Sequence, residues 1–110
     1  MIDWNQVKSL RNDVGHDAFD EIIDLFLDEV DDIVTKLRTA PQMAELENDM
    51  HSLKGSALNL GFRTFSGLCQ AGEKLSAEGN ADKVNLPEIF NCFDQSKSTF
   101  MKDVSTAIHS

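Results

Sequence analysis

Met43, Leu46, Met50, Leu53, Ala57 and Leu60 follow one another at intervals of 3, 4, 3, 4 and 3 residues. Each residue of an α-helix turns roughly 100° about the axis, so apolar side chains at this spacing form one stripe that must be buried against other helices. Three further stretches keep the same period. Phe19, Ile22, Ile23, Phe26, Val30, Ile33, Val34 and Leu37 mark a longer helix before it. Phe65, Leu68, Gly72 and Leu75 mark one that starts near Thr64, and Ile89, Phe93, Phe100, Val104 and Ala107 mark the last, with Phe90, Met101 and Ile108 beside them. A short lead-in helix carries Trp4, Val7, Leu10 and Val14 on one face. Four long amphipathic helices with short connections bury their stripes together as a bundle. The expected fold is therefore all-α, an antiparallel four-helix bundle with the short extra N-terminal helix packed across it.

Local signals place the ends of these elements. Asp3 caps the first helix and Gly15 ends it, Asp17 caps the second, and Lys36 and Arg38 suit the negative pole at its end. Thr39-Ala40-Pro41 marks a turn, Gly61 is the left-handed cap of the third helix, and Gly79 closes the fourth. Ser76 to Val84 reads as a loop, after which Asn85-Leu86-Pro87-Glu88 supplies a cap residue, an early Pro and an acid three positions on. Gly67 and Gly72 each cost about 1 kcal/mol inside a helix, and close helix contact is the expected reason for both.

Composition narrows the function classes. The 110 residues allow one domain, and with 41% hydrophobic residues they can form a core without a metal or disulfide staple. Lys and Arg number 10 against 19 Asp and Glu, a net charge of −9 that would repel a polyanion, so nucleic acid is excluded as a partner. Much of that charge sits opposite the stripe of the second helix, on Asp20, Glu21, Asp24, Asp28, Glu29, Asp31 and Asp32, and reads as a solvated face. Cys69 and Cys92 have no second Cys or His at ligand spacing and read as core fillers, with no metal site expected. No stretch approaches the roughly 18 apolar residues of a membrane span and no apolar signal core opens the chain, so a cytoplasmic location and no membrane contact are expected. Met1 followed by the cap at Asp3 suggests a free-standing protein rather than a fragment of a hybrid kinase, and the acidic, sealed bundle is expected to be monomeric.

The chemistry concentrates in His51-Ser52-Leu53-Lys54-Gly55-Ser56-Ala57-Leu58-Asn59-Leu60-Gly61. His51 lies about 130° from the centre of the apolar seam, so its imidazole faces water rather than the core. Lys54 at i+3, Gly55 at i+4 and Leu58 at i+7 share its face. A mid-helix Gly on a solvent face helps no packing, and its use is to let another molecule approach the backbone beside His51. Leu58 offers that visitor an apolar contact, and Lys54 places a positive charge within reach of whatever the ring carries. His16 and His109 have neither a Lys at i+3 nor a Gly at i+4 and are assigned surface roles. A carboxylate-bridged metal bundle would need Glu three residues before the histidine, where Asn48 stands.

This constellation resembles the histidine-containing phosphotransfer (HPt) domain of bacterial multistep phosphorelays, whose motif His-x-x-Lys-Gly with a later Gly matches His51, Lys54, Gly55 and Gly61. Ser56, Ala57 and Leu60 are also of the family's type, and Leu68, Cys69 and Glu73 match its following helix, whereas Gly72 stands where a larger apolar residue is commoner. The resemblance implies that residues 1–110 form one such domain. It also implies that His51 carries a phosphoryl group on Nε2, with Glu73 accepting a hydrogen bond from the protonated other ring nitrogen and Lys54 offsetting the phosphoryl charge or steering the partner. Gly55, Leu58 and Ala44 are assigned to the partner-docking surface and Gly61 to a structural role. The implied partners are receiver domains of response regulators, that of a hybrid histidine kinase among them, whose Mg²⁺-bound Asp donates and accepts the group. The chain has no Walker loop and no kinase ATP segment, so it is expected to bind no cofactor and to act as a phosphocarrier rather than an enzyme. The rival reading is a phosphate-free module that binds and regulates a receiver or kinase through Leu58 and its neighbours.

Overall fold

The computed structural model describes residues 2–109, with side chains through Thr106. The five α-helices are α1 (Trp4–Val14), α2 (His16–Thr39), α3 (Leu46–Asn59), α4 (Arg63–Ala77) and α5 (Leu86–His109), with 3₁₀ turns at Met43–Glu45 and Ala81–Lys83. The expectations for Ala107, Ile108 and His109 fall outside the described side chains.

Helices α2 to α5 form the antiparallel bundle. Its α2–α5 side is closed by Arg38 Nη2 on Asp94 Oδ1 at 2.8 Å and Lys97 Nζ on Asp31 Oδ2 at 2.7 Å; the residue order rises along α2 as it falls along α5. Helix length explains the place of α1. The 24 residues of α2 and of α5 span about 36 Å each, whereas the 14 and 15 residues of α3 and α4 span about 21 Å, so the shorter hairpin leaves one end of the long pair bare. Helix α1 covers that end, packing on α2, α3 and α5 with Val7 and Leu10 buried and Trp4 stacked on Phe100 at 5.8 Å. Phe62, Phe65 and Phe100 are fully buried in the shared core, each contributing about 2–3 kcal/mol of burial.

Several boundaries differ from the sequence expectation. Gly15, not Asp17, is the cap between α1 and α2: its φ of 85° turns the chain so sharply that α2 begins at His16. The buried line of α2 is Phe19, Ile23, Leu27, Val30, Val34 and Leu37, with Ile22, Phe26 and Ile33 half-buried along its edge. Met43 lies in the 3₁₀ turn, 47% exposed, because the α-helical register that would bury it begins only at Leu46. Helix α4 begins at Arg63, Leu75 is half-buried, and the stretch after Ala77 contains the 3₁₀ turn instead of a plain loop. Lys36 does more than suit a helix dipole, since its Nζ lies 3.0 Å from Asp49 Oδ1 and 3.3 Å from Glu45 Oε2, which straps α2 to α3 and raises the lysine pKa.

Two glycines set the α3–α4 hairpin. Gly61 adopts φ 73°, and the N–H of Phe62 reaches the carbonyl of Ala57 while that of Gly61 reaches Leu58, a paired cap that ends α3. A Cβ on Gly61 would stand 2.6 Å from the Asp3 carbonyl oxygen, so the close approach of α1 also requires glycine here. Gly72 accounts for its own presence: a Cβ there would meet Met50 Sδ at 2.9 Å and Val84 Cγ1 at 3.3 Å, so the volume a larger residue would supply comes from α3 and the loop. Gly67 does not serve contact, because nothing lies within 4 Å of its Cβ position.

Candidate functional site

The hairpin brings α3 residue 51 level with α4 residue 73, and the polar atoms there meet. His51 Nδ1 lies 2.8 Å from Glu73 Oε2, and Lys54 Nζ lies 2.7 Å from Glu73 Oε1, so one carboxylate serves both side chains. The close packing at neighbouring Gly72 lets a side chain as short as Glu span the gap between the helices. Lys54 and then His51, through these hydrogen bonds, hold the Glu73 carboxyl below its ordinary pKa, so it is ionised at neutral pH. An ionised carboxylate only accepts, so the ring proton at this contact belongs to Nδ1 and the lone pair of a neutral ring is on Nε2.

Exposure separates the three partners. The His51 side chain is 69% exposed while those of Lys54 and Glu73 are 25% and 22% exposed, so the imidazole projects from a more sheltered ion pair. Gly55 has open space at its Cβ position, and Leu58 is 54% exposed two turns beyond the ring. Ala44 is exposed in the 3₁₀ turn before α3. These positions leave His51 approachable along the helix, and the arrangement can present a neutral imidazole as a nucleophile with its tautomer fixed from behind. Among the described residues, no group of three His, Cys, Asp or Glu side chains is placed to hold a metal ion.

A family model for the Hpt domain matches residues 21–99, a span that contains α3, α4 and the whole His51, Lys54 and Glu73 cluster. The chain belongs to the Hpt domain family. As an Hpt domain it is a member of the phosphotransfer domains and is built, as they are, as a helical bundle. The chain has no match among curated proteins or solved structures. No helix among the described residues is long and apolar enough to cross a membrane.

Two features of this Hpt domain escaped the reading of the sequence. Asn59 Nδ2 donates to the Gly55 carbonyl at 3.2 Å, which its i+4 spacing could have suggested. Asp3, Gln6, Leu58, Asn59, Gly61 and Arg63 together line a groove at the end of the hairpin, a meeting of three elements that no local pattern announces.

Proposed function

We propose that this Hpt domain is a phosphorelay intermediate: His51 accepts a phosphoryl group from the phospho-aspartate of a receiver domain and passes it to another receiver. The observation that carries this reading is the contact of Nδ1 with an ionised Glu73, which leaves Nε2 as the free nitrogen on a ring open to solvent. Nε2 attacks phosphorus, the N–P bond forms, and the P–O bond to the receiver's aspartate breaks with its electron pair staying on the carboxylate. The proton on Nδ1 does not move, so the product ring is an imidazolium bearing the phosphoryl group. Glu73 offsets that developing positive charge, as a carboxylate behind a catalytic histidine does. The cationic ring remains a good leaving group, so the reverse attack by a second aspartate returns the group.

Lys54 balances the carboxylate while the ring is neutral, and it neighbours the phosphoryl oxygens once the ring is loaded. The Mg²⁺ and the acyl phosphate belong to the receiver. The chain's part is to carry the group, without autonomous catalysis. The test is to mix the protein with a phosphorylated receiver and Mg²⁺: an acid-labile phosphoryl group appears on His51 alone, and ATP without a kinase gives none. Labelling at any other residue, or none from any receiver, overturns the reading.

A further inference from the structure

A groove of about 420 Å³ opens where the start of α1, the end of α3 and the start of α4 meet, lined by Asp3, Gln6, Leu58, Asn59, Gly61 and Arg63. It lies on the His51 side of the molecule. Leu58 is seven residues beyond His51 on the same helix line, about 10 Å along the axis. A protein that seats an aspartyl phosphate on His51 covers about 800 Å² of this domain, a patch of about 16 Å radius, so the groove falls inside its footprint.

The lining specifies what enters. Leu58 is 54% exposed at one wall, and Arg63, the exposed first residue of α4, is the basic residue of the lining and makes no ion pair among the described residues. The acid in the lining, Asp3, is engaged locally: its Oδ1 accepts the Gln6 backbone N–H at 3.3 Å as the cap of α1. The walls are preformed, with the Asp3 N–H on the Gly61 carbonyl at 2.6 Å and Ile2 bridged to Phe62, so docking orders little backbone. Asp3 and Gln6 lie outside the span of the family match, and Leu58, Asn59, Gly61 and Arg63 lie inside it.

The geometry points to this groove as a second anchor for the receiver that loads His51, taking an apolar side chain against Leu58 with a carboxylate beside it against Arg63. The inference rests on the phosphotransfer reading above and adds the chemistry by which one receiver is chosen over another.

The test uses whichever receiver domain, from a purified phosphorylated panel, transfers fastest to the wild-type chain. Arg63→Glu is expected to raise KM for transfer about fivefold and Arg63→Lys to raise it less than twofold, with the saturating rate unchanged within about twofold. An acid at the first turn of α4 suits the helix dipole, so the variant keeps its fold, checked by circular dichroism. Labelling of His51 by phosphoramidate, a small donor that needs no docking surface, stays at the wild-type rate. An unchanged KM for Arg63→Glu overturns the groove and leaves the phosphotransfer reading standing. If no receiver loads wild-type His51, that reading falls and the groove loses its occupant with it.

Discussion

The α2 face and the α3–α4 face of the bundle carry different chemistry. Helix α2 has eight acids against Lys36 and Arg38, a net charge of −6, and apart from Asp31 these acids are exposed. Helices α3 and α4 together carry Glu47, Asp49 and Glu73 against Lys54, Arg63 and Lys74, a net charge of zero. On α2 the charges repel one another and are solvated. On the α3–α4 face they are organised, with one carboxylate held between a lysine and a histidine. Exposed charge by itself therefore says little about function; what matters is whether a second helix comes near enough to give each charge a fixed partner.

Substitutions on the two faces test this contrast. The largest effect is expected from His51→Gln, which abolishes phosphoryl uptake from a phosphorylated receiver while receiver binding stays within about twofold and stability within about 0.5 kcal/mol, because the side chain is 69% exposed. Retained uptake in that variant, followed by acid-labile labelling, would transfer the role to another residue, whereas a variant that takes up no phosphoryl group yet still signals in a cell would favour the phosphate-free rival.

Glu73→Gln keeps an acceptor for Nδ1 but loses the charge, and transfer is expected to slow about tenfold in single-turnover measurements. It also has a pH signature. The folded carboxyl titrates below its ordinary value of 4.5, so its ionised form contributes stability that is fully present above that value and is lost as pH falls through the folded pKa. The difference in unfolding free energy between wild type and Glu73→Gln should be flat above about pH 5 and shrink in more acid solution. A difference that grows on acidification would contradict the bonding described.

Gly55→Ala separates stability from function on the same face. With open space at the Cβ position, Ala should stabilise α3 by about 0.5–1 kcal/mol in urea unfolding, yet slow transfer from a receiver a few fold by adding bulk beside the ring. Faster or unchanged transfer would show that the partner does not approach there. The smallest effect is expected on α2, where Asp24→Asn with Asp28→Asn should leave stability within about 0.5 kcal/mol and transfer within about twofold, because both acids are exposed and make no ion pair among the described residues. A larger loss would make α2 part of the partner surface.

Much of the site was legible in the spacing of residues within one helix. His51, Lys54, Gly55 and Leu58 share a face by arithmetic alone, and the structure gives them the exposure that arithmetic predicts, with Lys54 the most sheltered of the four. Gly67 and Gly72 looked alike, five residues apart in one predicted helix, but only Gly72 meets a neighbour, because Met50 and Val84 come from elsewhere in the chain. Met43 kept the seam's spacing and still ended exposed, since the period says nothing about whether the preceding turn is 3₁₀ or α-helical.

The sequence by itself determined the helices, their buried stripes and the outward direction of His51, because these follow from a fixed rotation per residue and the cost of leaving apolar surface in water. Only the tertiary structure decided that Glu73 grips both His51 and Lys54, that Lys36 straps α2 to α3, and that Arg63 and Leu58 line one groove. Those outcomes depend on how far one helix slides along another. Gly61 and Gly72 set that slide through contacts with residues distant in the chain, and no local period encodes it.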